Sequence, residues 1–221
     1  MNGLIHSSLY FGMLVSVGAY MLGVWLKKKT GWAILNPLLV AIIVVIAFLS
    51  VFHIEYKEYN RGAVYLGYFL TPATVCLAIP LYKQLELLRQ HLIAVASAIV
   101  AGVAGSVGSI YVMCRFFQLE HTHYVTLLPK SITTAIGMGV SEEAGGIVTL
   151  TVISIIITGI LGNIIADWLF QIFKIEEPIA KGLALGTAAH AIGTAKALEL
   201  GEIEGAMSSL SIAVAGLLTV V

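Results

Sequence analysis

A histidine stands in the middle of an apolar stretch near the end of the chain, ALGTAAHAIGTAKALEL. On a continuous helix, residues three and four positions apart share a face, which would place His190 between Thr187 and Thr194, with glycines leaving space beside it. Inside a membrane protein an imidazole binds a carboxylate or a hydroxyl, or carries a proton near neutral pH. The alternative is that the glycines serve close helix packing and His190 bonds a neighbouring helix.

A second polar group follows a proline in the stretch LPKSITT. Lys130 supplies a full positive charge, and Ser131, Thr133 and Thr134 supply hydroxyl groups. Proline is favoured in the first turn of a helix, so Pro129 predicts a helix start whose free N–H groups favour an anion. The stretch therefore predicts a site for a small carboxylate. The alternative is an interfacial lysine that reaches toward the lipid head groups.

Three further residues are candidates, together with His190, for coupling a proton or cation to transport. Glu142 and Glu143 end the stretch that contains Lys130, although a solvated pair is the commoner outcome for such residues. Asn163 lies deep in a later apolar segment, where a polar side chain needs a partner.

The remaining polar residues indicate little chemistry. Lys196 and Glu199 lie three positions apart and predict a solvated pair. The two cysteines form no CxxC pattern, so no metal site and no cofactor are expected. Catalytic patterns such as HExxH, GxSxG and GxxxxGK[ST] do not occur, and an enzyme is not expected.

The composition is that of a membrane protein. The 221 residues are 59% hydrophobic and 11% charged, with a mean hydropathy of +0.97, whereas about 25% is charged in a typical soluble domain. Uncharged stretches cover residues 1–26, 30–54, 62–82, 90–114, 144–166 and 205–221. A membrane span needs about 20 apolar residues. These features predict one all-α, polytopic integral membrane domain over residues 1–221, and a net charge of zero gives no indication of nucleic-acid binding.

Between six and eight helical segments are predicted. Six ordinary helices are expected near residues 4–26, 34–53, 62–83, 91–117, 147–173 and 203–221. Residues 127–146 and 182–200 are rich in glycine and hydroxyl groups, and their uncharged cores are too short to cross the membrane. They predict two broken or re-entrant segments.

A weak sequence repeat within the chain indicates a duplication. A shift of 57 residues places Pro72 on Pro129, Glu86 on Glu143, and Gly102 and Gly105 on two later glycines. The predicted repeat pairs residues 70–116 with residues 127–173, and makes Pro72 and Pro129 equivalent helix starts. Duplicated halves with segments interrupted by glycine or proline are typical of secondary transporters.

The basic residues predict the orientation. Lys27, Lys28 and Lys29 follow the first apolar stretch, so the positive-inside rule places them in the cytoplasm and the N-terminus outside. Lys83 and Arg89, two spans later, are then cytoplasmic as well.

Two motifs carry a resemblance to a known family. The stretches LPKSITTAIGMGVSEEAGGI (128–147) and GLALGTAAHAIGTAKALELGEIEGAMSSL (182–210) resemble the LrgB/CidB family of bacterial membrane proteins. The similarity covers most of the chain and is densest over residues 127–210. The family often has proline where this chain has Ala135, and serine where it has Ala189.

The resemblance implies two different functions. The family was named for holin-like or antiholin-like control of murein hydrolases and autolysis, together with a smaller LrgA/CidA-type membrane protein. Relatives in plastids and bacteria resemble carriers of small monocarboxylates such as glycolate, glycerate or pyruvate.

From the residues and the resemblance together, we expect a carrier of small monocarboxylates in the bacterial cell membrane that works with an LrgA/CidA-type partner. Glycines of the repeated segments would allow close packing within the subunit or in a homo-oligomer such as a dimer. The alternative is a holin-like or antiholin-like regulator of murein hydrolase export and lysis.

Overall fold

The computed structural model describes residues 10–32 and 34–220, and no strand occurs in those ranges. Its helices are α1 (Phe11–Thr30), α2 (Pro37–Val51), α3 (Tyr56–Gly67), α4 (Leu70–Cys76), α5 (Ala78–Lys83), α6 (Leu85–Gln90), α7 (Leu92–Phe116), α8 (His121–Leu127), a 3₁₀ turn (Leu128–Ser131), α9 (Thr134–Glu143), α10 (Val148–Ile172), α11 (Pro178–Leu200) and α12 (Glu202–Val220). The predicted helix boundaries at residues 4 and 221 lie outside the described residues. The contacts divide the chain into two compact units, Met1–Cys76 and Leu77–Val221.

Within residues 10–32 and 34–220, four helical runs are long and apolar enough to cross a membrane, which confirms the predicted all-α, polytopic class. They are Tyr56–Lys83, Leu92–Phe116, Val148–Ile172 and Glu202–Val220. The first begins six residues before the predicted helix 62–83 and is divided into the short helices α3, α4 and α5.

The first unit is built around α1. Its last turn carries three lysines, which complement the negative end of the helix dipole, and Gly31 ends it with a φ of 70°. The Oδ1 atom of Asn36 caps α2 by accepting the backbone N–H of Leu38 at 2.9 Å. A hydrogen bond of 2.7 Å between the Ser16 and Tyr59 hydroxyls links α1 to α3.

In the second unit, α11 is a helical hairpin rather than a continuous helix. The backbone leaves helical geometry at His190, where φ is 42° and ψ is −136°. A Cβ atom at Gly193 would touch the carbonyl of Leu185, whereas eight residues of straight helix would separate the two by about 12 Å. Leu185 and Ala197 also share one apolar cluster around Ala166. The chain therefore reverses at His190, which confirms the predicted interruption of segment 182–200.

Residues 121–143 form a first hairpin of the same kind. They comprise α8, the 3₁₀ turn and α9, and Ile132 and Thr133 between the turn and α9 are extended. The returning α9 packs against the 3₁₀ turn of the incoming segment, since a Cβ at Gly137 would lie 3.5 Å from the Pro129 Cβ atom. At the base, the backbone N–H of Ile147 donates to the Thr126 hydroxyl at 2.9 Å. The predicted interruption of segment 127–146 is therefore also present.

The two hairpins approach α7 from opposite ends, and their tips meet beside its middle. At the first tip, the Ser106 hydroxyl donates to the Ser131 hydroxyl at 2.9 Å. One turn away on α7, a Cβ at Gly102 would lie 3.1 Å from the Thr187 Cβ atom of the second hairpin. The base of the first hairpin lies near the C-terminal end of α7, where the rings of Tyr111 and Tyr124 are 6.1 Å apart.

The base of the second hairpin lies at the opposite end of α7. There the apolar core of the unit joins α7, the second hairpin, and α12. Its buried members are Val95, Ile99, Leu183, Ala206, Met207 and Ala215. Gly182 and Gly186 allow this contact, because a Cβ at either position would touch the α12 backbone.

The opposed hairpins predict that their bases lie on opposite faces of the membrane. In a chain whose two cysteines, Cys76 and Cys114, are replaced by alanine, we expect Glu143→Cys to react with an impermeant maleimide from one face only. Lys181→Cys should react from the other face only. The measurement is labelling of intact cells and of inside-out vesicles, with the cysteine-free chain as the control. Labelling of both positions from the same face would contradict the fold.

Candidate functional site

A cavity of about 1100 Å³ lies within the second unit, between α7, α10 and the first half of the second hairpin. At its inner end are Lys130, Ser131 and Ser106, beside the hairpin tips. At its other end, near the hairpin base, are His91 and Glu177. Most of the remaining lining is apolar, so one cation and a few hydroxyl groups define the chemistry of the inner end.

The inner end is a small network of hydrogen-bond donors. The Lys130 ammonium donates to the Ser131 hydroxyl at 3.1 Å, and Ser106 donates to the same oxygen at 2.9 Å. Ser131 is buried, with 6% of its surface exposed. Among the described residues, no carboxylate lies within ion-pair distance of Lys130. A half-buried cation without an acidic partner favours an anionic ligand.

The helix start near Lys130 differs from the prediction. Pro129 lies in the 3₁₀ turn, and α9 begins five residues later at Thr134, with Thr133 as its N-cap residue. The first hydrogen bond of α9 runs from the Gly137 N–H to the Thr133 carbonyl at 2.8 Å. The free N–H groups of a helix start, which were expected at Pro129, therefore belong to the first turn of α9, which begins at Thr134. Pro72 lies in the first turn of α4.

His190 forms its hydrogen bond with the protein and does not line the cavity. It is 3% exposed, and its Nε2–H donates to the Ile155 carbonyl of α10 at 2.9 Å. A carbonyl can only accept, so Nε2 carries the proton in this contact. The imidazole fits because α10 has glycine at position 159, where a Cβ would lie 2.7 Å from the His190 ring.

The backbone at the reversal is strained and held by side chains. A non-glycine residue with the φ of His190 costs about 1–3 kcal/mol. The Thr194 hydroxyl donates to the His190 carbonyl at 3.1 Å. Asn163 of α10 donates through Nδ2 to the Ile192 carbonyl at 3.2 Å. These bonds hold the first carbonyls of the second half-helix in place beside the reversal.

The reversal corrects the expected common face of His190 and the two threonines. Thr187 lies on the first half of the hairpin, lines the cavity, and donates to the carbonyl of Leu183 at 2.8 Å. Thr194 lies on the second half, where its hydroxyl is 2.7 Å from that of Ser208 on α12. The predicted site residues thus separate into two groups. Lys130, Ser131 and Thr187 line the cavity, while His190 and Thr194 stabilise the reversal.

The other candidates take different positions. Thr133 and Thr134 are half-buried at the start of α9, outside the cavity lining, and Glu142 and Glu143 are exposed at the end of that helix. Asn163 has the structural contact to Ile192 described above.

Lys196 forms an ion pair with Asp167, whereas the sequence spacing predicted a pair with Glu199. The ammonium of Lys196 lies 2.7 Å from the Asp167 carboxylate, across α10 and α11. Sequence spacing could not indicate this pair, because its members are 29 residues apart. Ser106 was missed for the same reason, although the small-residue run around it on α7 was a usable signal.

Comparison with known proteins identifies the family. A family model described as LrgB-like matches residues 16–221. The chain belongs to the LrgB-like family. The antiholin-like protein LrgB of Bacillus mycoides (strain KBAB4) is 40% identical over 213 residues, covering 96% of this chain and 93% of that protein. The antiholin-like protein LrgB of Bacillus subtilis (strain 168) is 39% identical over 212 residues, covering 96% and 92%. No solved structure matches the chain.

The motifs of the resemblance coincide with the two hairpins of this LrgB-like chain. Residues 128–147 contain the tip and the returning helix of the first hairpin, and residues 182–210 contain most of the second. Lys130 and His190 therefore lie at the turning points of the two segments.

The fit of His190 beside α10 generates a stability prediction. Gly159→Ala places a methyl group against the buried imidazole, so we expect the free energy of unfolding to fall by about 1–3 kcal/mol. Thermal unfolding of the purified chain in detergent measures the change.

Gly108→Ala is the matched control, because nothing lies within 4 Å of a Cβ at that helical position. Its stability should be unchanged or raised by up to about 1 kcal/mol. Equal stabilities of the two variants would contradict the close packing of His190 on α10.

Proposed function

We propose that this chain acts in the bacterial cell membrane as an antiholin-like regulator that restrains murein hydrolases and autolysis. The observation that supports this function is the match over nearly the whole chain to relatives named antiholin-like protein LrgB. The apolar helical runs fit a protein that acts within the bilayer. The function requires no catalytic group.

Loss of the gene tests this function. We expect a strain that lacks the protein to lyse faster after addition of a mild detergent, because the restraint on murein hydrolases is removed. Expression of the wild-type chain should restore the original lysis rate, measured as the decline in culture turbidity. An unchanged lysis rate in the deletion strain would contradict the proposal.

A second candidate function is transport of a small monocarboxylate such as pyruvate, glycolate or lactate. The specific observation in its favour is Lys130, a cation at the inner end of a large cavity. The hydroxyl of Ser131 and the start of α9 at Thr134 add hydrogen-bond donors near this cation.

The paired hairpins also favour transport. Interrupted helices that meet near the membrane centre are the usual binding sites of secondary transporters. The predicted shift of 57 residues moves α7 onto residues 149–173, within one residue of α10, and moves residues 121–143 onto the second hairpin. The repeat of residues 70–116 in 127–173 stays a proposal, and opposed hairpins favour its inverted form.

The cavity would open to the cytoplasm. Lys83, Arg89, Lys174 and Lys181 lie at the end of the unit that contains the base of the second hairpin, and Arg115 ends α7 on the other side. The positive-inside rule assigns the end with four basic residues to the cytoplasm. This orientation agrees with a cytoplasmic Lys27–Lys29 triplet and an external N-terminus.

The partners are proposed from the resemblance. A small LrgA/CidA-type membrane protein would work with this chain in either function, and the chain would form a homo-oligomer such as a dimer. Altered metabolite or proton flux through the carrier would link transport to autolysis.

Removal of the Lys130 charge tests transport. We expect Lys130→Met to reduce the saturable uptake of labelled lactate, pyruvate or glycolate into proteoliposomes at least tenfold, since the carboxylate loses its counter-charge. Lys57→Met, at an exposed lysine of α3, is the control and should retain wild-type uptake. The assay is run with and without the small partner. Equal uptake by both variants, or leakage of dyes of any charge, would contradict a carrier.

A further inference from the structure

Ser106 differs from its neighbours at the inner end of the cavity in the hydrogen-bonding group that it offers. Lys130 has three N–H donors and uses one on the Ser131 hydroxyl. Ser131 accepts from both Lys130 and Ser106, so both of its lone pairs are used and its own proton is available. Lys130 and Ser131 therefore present donors, which suit a carboxylate.

The hydroxyl of Ser106 presents the opposite chemistry. Its proton is donated to Ser131 at 2.9 Å, so only its lone pairs remain for a ligand. An acceptor can bind a hydroxyl group, which has a proton, but not an oxo group, which has none. Because the Ser106 oxygen is 2.9 Å from the Ser131 oxygen, we expect it to face the second carbon of a carboxylate held by Lys130 and Ser131.

We propose that Ser106 is a specificity-determining residue that makes the site prefer a 2-hydroxy monocarboxylate to the matching 2-oxo monocarboxylate. The inference rests on the second candidate function, because it requires that Lys130 and Ser131 hold a carboxylate. The Ser106 hydroxyl would decide between 2-hydroxy and 2-oxo acids, which have the same charge and a similar size. A site built to bond a hydroxyl discriminates strongly against an analogue that lacks it.

The chain offers a matched control three residues away. Ser109 is on the same helix and also lines the cavity, but its hydroxyl donates to the Ser106 backbone carbonyl at 2.8 Å. It has no contact with Ser131 among the described hydrogen bonds. Ser109→Ala therefore removes a cavity hydroxyl without changing the donor network.

Binding of lactate and pyruvate to the purified full chain in detergent tests the inference. We expect wild-type protein to bind lactate about tenfold more tightly than pyruvate, because one hydrogen bond contributes about a factor of ten in affinity. Ser106→Ala should weaken lactate binding about tenfold and change pyruvate binding less than about threefold. Ser106→Thr, which retains a hydroxyl, and Ser109→Ala should keep the wild-type ratio. Isothermal titration calorimetry gives the affinity of each of the four proteins for both acids.

The outcomes separate the two claims. If both acids bind to wild-type protein and Ser106→Ala weakens them equally, the role of Ser106 is wrong while carboxylate binding stands. A wild-type preference for pyruvate would show that Ser106 donates to the ligand, which also overturns the inference. If neither acid binds, the second candidate function fails, and the inference fails with it.

Discussion

The reversal of the chain at His190 depends on close polar contacts that hold it against α10. Asn163 and Thr194 bond the Ile192 and His190 carbonyls, which begin the second half-helix, and the ring of His190 anchors the turn to the Ile155 carbonyl of α10. These contacts hold the reversal beside α10, and the cavity lies between α7, α10 and the first half of the hairpin.

The same constraint explains the small residues of the neighbouring helices. Gly159 admits the imidazole, Gly102 admits Thr187, and Gly186 admits the α12 backbone. Each glycine lets a polar group reach a partner or lets two backbones approach, as close packing in membranes requires. The first hairpin relies on buried hydroxyls instead, since Thr151 donates to the Thr126 carbonyl at 2.9 Å.

Much of this arrangement could be predicted from the sequence, for identifiable reasons. The short uncharged cores of residues 127–146 and 182–200 indicated interrupted segments, and membrane thickness is a strong enough constraint to make that inference sound. The common face of His190, Thr187 and Thr194 was wrong because it assumed a continuous helix through the interruption. A single non-helical residue reverses the chain and places the two threonines on different half-helices.

The contacts between distant segments could not be predicted. Lys196 pairs with Asp167, and Ser106 bonds Ser131, only because the hairpins fold back against other helices. No local periodicity encodes such partners.

The central claim is that the tips of both hairpins meet beside the middle of α7. Disulfide cross-linking tests it most directly in a chain without Cys76 and Cys114. We expect the pairs Ser106→Cys with Ser131→Cys, and Gly102→Cys with Thr187→Cys, each to form a disulfide under mild oxidation. The Ser106 and Ser131 hydroxyl oxygens are 2.9 Å apart, and a Cβ at Gly102 would lie 3.1 Å from the Thr187 Cβ atom. Mass spectrometry of the digested protein detects the linked peptides. Failure of either pair to cross-link, while a folded monomer persists, would contradict the meeting of the tips.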